Sequence, residues 1–339
     1  MLALIEITPW HWAGFILCVL FFLALDLGVF HRQAHVVKFK EALGWTVIWV
    51  VLSLAFGLLV APAVVNGWAR RDTVEFITGY IIELSLSMDN VFVIALVFTY
   101  FRVPAQYQHR VLFWGILGAL LMRGVMIAAG AALISRFMWS LYLFGAFLVF
   151  TGFKMLFVSD EGVHPEKNLV LRLMRKCFPV TPDFQGQKFA IRERGRFTLT
   201  PLALVLLVVE TTDLIFAVDS IPAIFAVTKR PFIVFTSNVF AILGLRSLYF
   251  VLAGAIDYFR YLKVGLSFVL VFIGAKMLLD PHEAGPKWFQ VDIPGSVSLL
   301  VVAAIIATSI AMSVVAGRRE KRAAGGGHAE TMDREERED

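Results

Sequence analysis

The stretch Glu83-Leu-Ser-Leu-Ser-Met-Asp-Asn90 places two carboxylates, two hydroxyls, a thioether and an amide inside an apolar run, 74–101. A second polar stretch, Glu210-Thr-Thr-Asp-Leu-Ile-Phe-Ala-Val-Asp-Ser220, lies inside another apolar run, 201–227. An ionisable group in the middle of a lipid-spanning helix costs about 2.5–3.5 kcal/mol on insertion scales. A shift of 130 positions aligns three pairs: Glu83 with Asp213, Asp89 with Asp219, and Asn90 with Ser220. Two matched clusters therefore need a functional reason, and a cation site is the leading hypothesis.

The composition is typical of a membrane protein. Hydrophobic residues make up 59% of the 339 residues and charged residues only 17%, far from the soluble average. Long apolar runs form helices in lipid, because a helix satisfies its own backbone hydrogen bonds. The predicted fold class is therefore an all-α polytopic protein in the lipid bilayer, and no nucleic-acid partner is expected. Two cysteines, Cys18 and Cys177, are too few for a disulfide framework or a cysteine-rich metal site.

About nine segments are long and apolar enough to span the bilayer. They are 12–30, 42–65, 76–100, 110–134, 138–158, 201–228, 232–256, 261–280 and 294–316. They divide the chain into an N-terminal two-helix segment (1–70), a first three-span repeat (74–158), a cytoplasmic loop (159–200), a second three-span repeat (201–280), a last span (293–316) and a disordered tail (317–339). The first apolar run has no Lys or Arg before it, so a retained helix is favoured over a cleaved signal peptide.

The loop charges predict the orientation of the chain. If the N-terminus is external, nineteen Lys and Arg residues lie in the cytoplasmic segments and six lie outside. The six external residues are Arg70, Arg71, Arg136, Lys229, Arg230 and Lys287. Because cytoplasmic loops carry the excess of positive residues, we predict an external N-terminus and a cytoplasmic C-terminus.

The two groups of three spans resemble copies of each other. Gly152-Phe-Lys-Met-Leu156 ends the first group and Gly274-Ala-Lys-Met-Leu278 ends the second, and Arg123 and Arg246 lie at matching places in the middle helices. Since each copy has an odd number of spans, the copies must enter the membrane from opposite sides. This is the inverted-repeat plan of many secondary transporters, whose binding site lies at the midplane between the repeats.

The loop between the repeats carries two local patterns. Residues 166–178 are basic and amphipathic, which fits a helix on the anionic inner surface of the membrane and equally a short solvated helix. Residues 188–200 alternate around Arg194-Gly195, which predicts a small hairpin. The charged, glycine-rich tail after Gly317 is predicted to be disordered.

Six carboxylates lie within the predicted spans: Asp26, Glu83, Asp89, Glu210, Asp213 and Asp219. Arg123 and Arg246 are the deep basic residues, and one interpretation is that they pair with carboxylates and lock the bundle. Two arginines cannot neutralise five deep carboxylates, however, so protons or a metal cation must supply the remaining charge.

The available ligands select a class of metal. All seven histidines fall in loops or at span ends, which leaves carboxylate, amide and hydroxyl oxygens from the two clusters. These ligands suit Mg²⁺, Ca²⁺ or Mn²⁺ rather than Zn²⁺ or Cu⁺. Met88 either adds a sulfur that disfavours Mg²⁺ and Ca²⁺ or simply packs. Asp26 is either an interfacial carboxylate or, like Asn238, a part of the ion pathway.

Helix geometry limits how the carboxylates meet. Six residues correspond to about 600° of a regular helix, so Glu83 and Asp89 point about 120° apart. They converge on one ion only if the helix is distorted; otherwise they serve successive positions on a path. Pro222 cannot donate to the carbonyl of Val218, which favours such a distortion in the second cluster. Glu210 and Asp213 share one helix face.

Four motifs together resemble the TerC/Alx family of bacterial inner-membrane proteins, and the resemblance covers residues 10–316. They are Glu83-Leu-Ser-Leu-Ser-Met-Asp-Asn-Val-Phe-Val93, Val209-Glu-Thr-Thr-Asp-Leu-Ile-Phe-Ala-Val-Asp-Ser-Ile-Pro-Ala223, Ser237-Asn-Val-Phe-Ala-Ile-Leu-Gly-Leu-Arg-Ser-Leu-Tyr-Phe250 and Asp26-Leu-Gly-Val-Phe-His31. The resemblance implies membership of the lysine-exporter-like superfamily and export of Mn²⁺, which is then a transported substrate and not a permanently bound cofactor. The family name refers to tellurium resistance, but a carboxylate-lined path repels tellurite, which is an anion.

Three functions compete at this point. The first is a divalent-metal exporter that uses Asp89, Asp219 and their neighbours, with proton exchange as an option. The second is an intramembrane aspartyl protease, which needs Tyr-Asp and Gly-x-Gly-Asp motifs; Ser-Met and Ala-Val precede Asp89 and Asp219 instead, so an enzyme is not expected. The third is a non-transporting scaffold or stress-response protein, which metal flux in vesicles distinguishes from the first.

Overall fold

The computed structural model describes residues 7–25, 39–157, 169–193, 196–253, 261–280, 290–291 and 293–335, with the backbone alone at 25, 169, 253 and 318–335. The helices are α1 (Pro9–Leu25), α2 (Phe39–Ala55), α3 (Ala61–Val64), α4 (Arg70–Tyr100), α5 (Ala105–Arg136), α6 (Ser140–Phe157), α7 (Leu169–Cys177), α8 (Pro201–Phe225), α9 (Pro231–Ala253), α10 (Leu262–Leu279) and α11 (Gly295–Glu335). A π-helical turn, Phe56–Val60, joins α2 to α3. Two strands, β1 (Ala190–Glu193) and β2 (Arg196–Leu199), form the small sheet.

The protein is an all-α polytopic membrane protein, as predicted. Eight helical segments of the described residues are long and apolar enough to cross a membrane, and α2 to α3 counts as one of them. The remaining predicted span, 12–30, corresponds to α1, which is apolar but shorter than the other eight. Its predicted continuation to residue 30, including Asp26, lies outside the described residues.

Two boundaries differ from the sequence-based prediction for identifiable reasons. Helix α4 begins at Arg70, before the predicted repeat start at 74, because the Asp72 carboxylate accepts a 2.7 Å hydrogen bond from the Ala69 backbone N–H and pairs with Arg230. Hydropathy does not detect such a polar cap. At the other end, the backbone of α11 continues to Glu335, so the tail predicted to be disordered is helical. The Ala, Glu, Lys and Arg residues of that tail are strong helix formers.

The loop between the two predicted repeats contains both elements expected from its sequence. Helix α7 lies within the amphipathic segment, and Leu171 is buried against α8 in a shared apolar cluster. Strands β1 and β2 pair antiparallel, with Ala190 opposite Leu199 and Glu193 opposite Arg196. The two residues that connect the strands lie outside the described part of the chain.

Helix α9 is the centre of the bundle. In the most apolar 18-residue stretch of α9, 94% of the residues are buried, compared with 22% in the α2–α3 span and 22% in α11. Helices α4, α2 and α5 all pack against it. A ring of aromatic side chains, including Phe15, Phe56, Phe76 and Phe240, joins the N-terminal helices to this core. The N-terminal segment therefore packs on the outside of the two predicted repeats.

Helices α6 and α10 make the closest contact between the predicted repeats. A Cβ placed on Gly274 would lie 2.7 Å from the Gly145 carbonyl oxygen, and one placed on Gly152 would lie 2.9 Å from the Ser267 carbonyl oxygen. An offset of 122 residues aligns Gly145 with Ser267 and Gly152 with Gly274, so the two contacts are equivalent in the two repeats. The early part of each helix meets the late part of the other, so α6 and α10 run antiparallel. This packing supports the inverted repeat, which itself stays a prediction.

Gly274→Ala should destabilise the bundle, because the new methyl group would meet backbone atoms: the Gly145 carbonyl oxygen at 2.7 Å and the Val149 nitrogen at 2.8 Å. Overpacking of this kind costs about 1–3 kcal/mol. Thermal unfolding of the purified protein in detergent measures the loss. Gly44→Ala is the control, because nothing lies within 4 Å of its added Cβ. Equal unfolding midpoints for the two variants would show that α6 and α10 can move apart without loss of stability.

Candidate functional site

The two polar clusters lie on regular helices, and this separates their carboxylates. Helices α4 and α8 are continuous over both clusters, and α8 runs through Pro222 to Phe225. Pro222 was expected to distort α8, but it does not break the helix. Glu83 and Asp89 therefore point to different sides of α4, as the 100° step of a helix requires. The predicted alternative of successive positions along a path fits this geometry, and convergence on one ion does not.

Arg123 organises the first position, deep in the bundle. Its guanidinium donates through Nε to Asp213 Oδ2 at 3.2 Å and through Nη2 to Asp213 Oδ1 at 3.0 Å. Its Nη1 also pairs with the Glu83 carboxylate. Arg123 is 1% exposed and Glu83 0% exposed, so the charges are shielded from solvent. The ion pairing predicted for Arg123 is present, and it joins α4, α5 and α8.

Asn90 and Ser220 surround this ion-paired cluster. The Asn90 side-chain amide donates to Asp213 Oδ1 at 3.4 Å, and the Ser220 hydroxyl accepts from Arg123 Nη1 at 3.4 Å. Two carboxylates and one guanidinium give the cluster a formal charge of −1. Because Glu83 and Asp213 already have a cationic partner, they are poorly available to a metal ion. In this arrangement the two carboxylates hold Arg123, and their predicted role as metal ligands stays a prediction.

Asp89 and Asp219 line a cavity of about 250 Å³ at the second position. Its wall also includes Asn90, Ser220, Thr151 and Met155. The Thr151 hydroxyl donates to Asp219 Oδ1 at 3.4 Å. A water molecule occupies roughly 30 Å³ of liquid, so the cavity has room for an ion with several ligands. The carboxylates that the sequence aligns in the two repeats therefore face the same space.

Two lysines, Lys154 and Lys263, also line this cavity. Together with the two aspartates they make its formal charge zero when every group is ionised. From the sequence alone, Lys154, Lys263, Thr151 and Met155 were not expected at the site. A signal did exist for two of them, because Lys154 and Met155 belong to the motif that ends the first repeat.

Asn90 lines the cavity and has a buried side-chain oxygen. Its amide nitrogen donates to Asp213, whereas its Oδ1 has no hydrogen-bond partner among the described residues. Asn90 is 3% exposed, and an unpaired buried polar atom costs about 1–3 kcal/mol. Such an atom requires a partner in the working protein. A cation in the cavity would satisfy it.

The described residues contain no group of three or more His, Cys, Asp and Glu side chains close enough to hold a metal. A cation in the cavity would therefore have two carboxylates, Asp89 and Asp219, and would complete its coordination with neutral ligands. Amide, hydroxyl and water oxygens serve this purpose for Mg²⁺, Ca²⁺ and Mn²⁺. Ligands of this kind suit a transported ion, which must also be released.

The remaining predicted residues that the structure describes do not line the cavity. Glu210 packs against Gly118 of α5, and Met88 packs with the apolar cluster of α4 and α8. Asn238 and Arg246 are buried on α9, 1% and 8% exposed, and neither is among the residues that line the cavity. A carboxylate partner for Arg246 stays a prediction, and Asp26 falls outside the described residues.

Comparison with known proteins identifies the family. The family described as "Integral membrane protein TerC family" matches residues 68–321. The chain belongs to the TerC family. The matched region runs from just before α4 into α11, so it contains both polar clusters of this TerC protein.

Several TerC-like relatives match nearly the whole chain. An uncharacterized membrane protein of Myxococcus xanthus, STKORF319, is 53% identical over 92% of this chain and 94% of its own. A candidate membrane-bound redox modulator, Alx, of Escherichia coli K12 is 46% identical over 94% of this chain and 98% of its own. An uncharacterized membrane protein of Rickettsia bellii is 38% identical over 88% of this chain and 98% of its own. No solved structure matches this TerC protein.

Proposed function

We propose that this TerC-family protein is a secondary transporter that exports a divalent metal ion, Mn²⁺, from the cytoplasm. The observation that carries the proposal is the cavity that is lined by both Asp89 and Asp219, equivalent residues of the two predicted repeats. Two carboxylates supply the charge of −2 that a desolvated divalent ion requires. A site at the interface of two repeats is reached from either side when one repeat rocks against the other.

The neutral ligands complete a coordination shell. Asn90 contributes the buried Oδ1 that has no hydrogen-bond partner in the described part of the chain, Ser220 a hydroxyl and Met155 a thioether. Carboxylate and carbonyl oxygens suit Mg²⁺, Ca²⁺ and Mn²⁺ alike, whereas a thioether is a soft ligand. A sulfur at the cavity therefore favours Mn²⁺ over the two harder ions. Met155 is therefore the proposed sulfur ligand, in place of Met88, which the sequence had suggested.

The two lysines explain how the site can exist without its ion. Lys154 and Lys263 supply two positive charges beside the two aspartates, so the empty cavity is formally neutral. When a divalent cation enters, it replaces those charges, and the long lysine chains can extend toward the membrane surface. The total charge buried in the bilayer then stays small in both states, which avoids a high electrostatic cost.

The orientation and location are part of the proposal. The charge bias places the N-terminus outside and the C-terminus in the cytoplasm, and the resemblance to inner-membrane proteins suggests the bacterial inner membrane. The protein is then a carrier with no enzymatic activity and no permanently bound cofactor. Its partners are the lipid bilayer and the transported ion.

Uptake of radiolabelled Mn²⁺ by inverted membrane vesicles tests the proposal. In such vesicles the cytoplasmic face is outside, so an exporter accumulates the ion, and vesicles that lack the protein provide the background. We expect uptake well above this background in inverted vesicles but not in right-side-out ones under the same gradient. An absence of protein-dependent Mn²⁺ uptake would favour the alternative, a non-transporting stress-response protein linked to tellurium resistance.

A further inference from the structure

Glu210 has an unusual environment for a carboxylate in a membrane helix. Its Oε2 atom is buried and has no hydrogen-bond partner, and among the described residues its side chain forms no ion pair or hydrogen bond. The carboxylate lies directly against Gly118 of α5, in space that the Cβ of any other residue would fill. The other acids of the two clusters have different surroundings, because Glu83 and Asp213 bind Arg123 and Asp89 and Asp219 face the cavity.

The charged groups around Glu210 do not supply a counter-charge. On its own helix the nearest acid is Asp213, one turn away. On α5, Arg123 is five residues beyond Gly118 and is occupied by Glu83 and Asp213, while Arg110 lies eight residues before Gly118, donates to Gln187 Oε1 at 3.0 Å and stacks on Phe189. The other acidic, basic and histidine residues on helices packed against α8 are His109 and Arg136 on α5, Arg70, Arg71, Asp72, Glu75, Glu83 and Asp89 on α4, Lys154 on α6, Arg172, Arg175 and Lys176 on α7, and Lys263 and Lys276 on α10.

A carboxylate in such a place prefers its neutral form. A charged group in a membrane helix is costly unless a partner neutralises it, and among the described residues no cationic side chain is paired with Glu210. A protonated carboxyl needs no counter-ion, and its flat group fits against the exposed backbone at Gly118. Deprotonation places a charge beside the backbone of Gly118, and because Glu210 is half-buried, a movement of α8 against α5 changes its access to water. Proton binding is thus tied to the relative position of these helices.

We propose that Glu210 is the proton-binding site of the exchange, separate from the cavity that holds the metal. This inference rests on the proposed transport function for its role in coupling. On the external side Glu210 takes up a proton from water and forms an O–H bond as the metal ion leaves Asp89 and Asp219. On the cytoplasmic side it releases that proton to water as the next ion binds. Glu210 and Asp219 both lie on α8, nine residues or about 13 Å apart, so one helix carries both sites.

Infrared spectroscopy of the purified protein tests the proton site without any transport. Near neutral pH the wild type should show the C=O stretch of a neutral carboxylic acid, and Glu210→Gln should lose it. Glu75→Gln is the matched control, because Glu75 is also a glutamate on a membrane helix but is buried and accepts a 2.8 Å hydrogen bond from Arg71 Nε. This control should keep the band. A band that persists in Glu210→Gln, or is missing from the wild type, would overturn the inference.

Proteoliposome flux tests the coupling. A pH gradient should accelerate Mn²⁺ flux by wild-type protein, while Glu210→Gln should retain Mn²⁺–Mn²⁺ exchange and lose the acceleration. An unchanged response to the gradient in Glu210→Gln would refute the coupling role even if the infrared band disappears. If the wild type carries no Mn²⁺ at all, the proposed transport fails, but the infrared comparison still decides whether Glu210 holds a proton.

Discussion

Asp89→Asn and Asp219→Asn are each expected to abolish protection of a manganese-sensitive host while the protein still folds and reaches the membrane. The amide keeps the shape of the carboxylate but removes the charge that a desolvated cation binds. Substitution of groups that only support metal ligands costs 10–100-fold in metal affinity, so the loss of a ligand charge should cost at least about 100-fold. Folding should survive, because neutral side chains insert into a membrane more easily than charged ones. Growth at increasing Mn²⁺ concentration, with immunoblotting of the membrane fraction, measures both properties.

Asp183→Asn is the matched control for these two variants. Asp183 is exposed in the segment between α7 and β1, so its loss of charge should leave protection unchanged. Since Asp89 and Asp219 are equivalent in the two predicted repeats, their variants should fail to a similar degree. If either variant protects as well as wild type, the ion is held elsewhere, and Glu83 with Glu210 and Asp213 becomes the better candidate set.

Arg123→Ala should give a protein that folds poorly. The substitution leaves Glu83 and Asp213 buried together without their guanidinium, and the bidentate hydrogen bonds to Asp213 at 3.0 and 3.2 Å are lost. Removal of one partner from a buried ion pair typically costs 3–5 kcal/mol, because the other charge stays buried and unpaired. We expect low yield and a clearly lower unfolding temperature in detergent.

Two comparisons make the Arg123 prediction specific. Arg136→Ala, on the exposed last turn of the same helix, should behave like wild type. Adding Glu83→Gln and Asp213→Asn to Arg123→Ala should restore part of the lost stability, because no unpaired charge then remains. An Arg123→Ala protein as stable as Arg136→Ala would show that the ion pairs contribute little to the fold.

The sequence predicted much of the fold because lipid imposes simple rules. Apolar length identifies the membrane helices, and the aligned stretches around Asp89 and Asp219 indicate that two equivalent carboxylates share a site. Both features depend on residue type and spacing alone. Polar contacts at helix ends do not, so the cap at Asp72 moved the start of α4 and helix-forming residues extended α11.

The division of the acids between two positions could not be predicted from spacing. Helix periodicity showed that Glu83 and Asp89 point in different directions, but not which partner each would meet. That choice depends on how α5 crosses α4 and α8, which brings Arg123 to Glu83 and Asp213. Lys263 was missed for the same reason, because α10 brings it to the cavity only through tertiary packing.

Equilibrium binding of Mn²⁺ to the purified protein tests the central claim most directly. Wild-type protein in lipid nanodiscs should bind the ion at a single saturable site, which electron paramagnetic resonance of free Mn²⁺ can quantify. Asp89→Asn and Asp219→Asn should each weaken this binding by about 100-fold, whereas Asp183→Asn should not change it. Binding of Mn²⁺ with wild-type affinity by both cavity variants, or no saturable binding by the wild type, would contradict a cation site between Asp89 and Asp219.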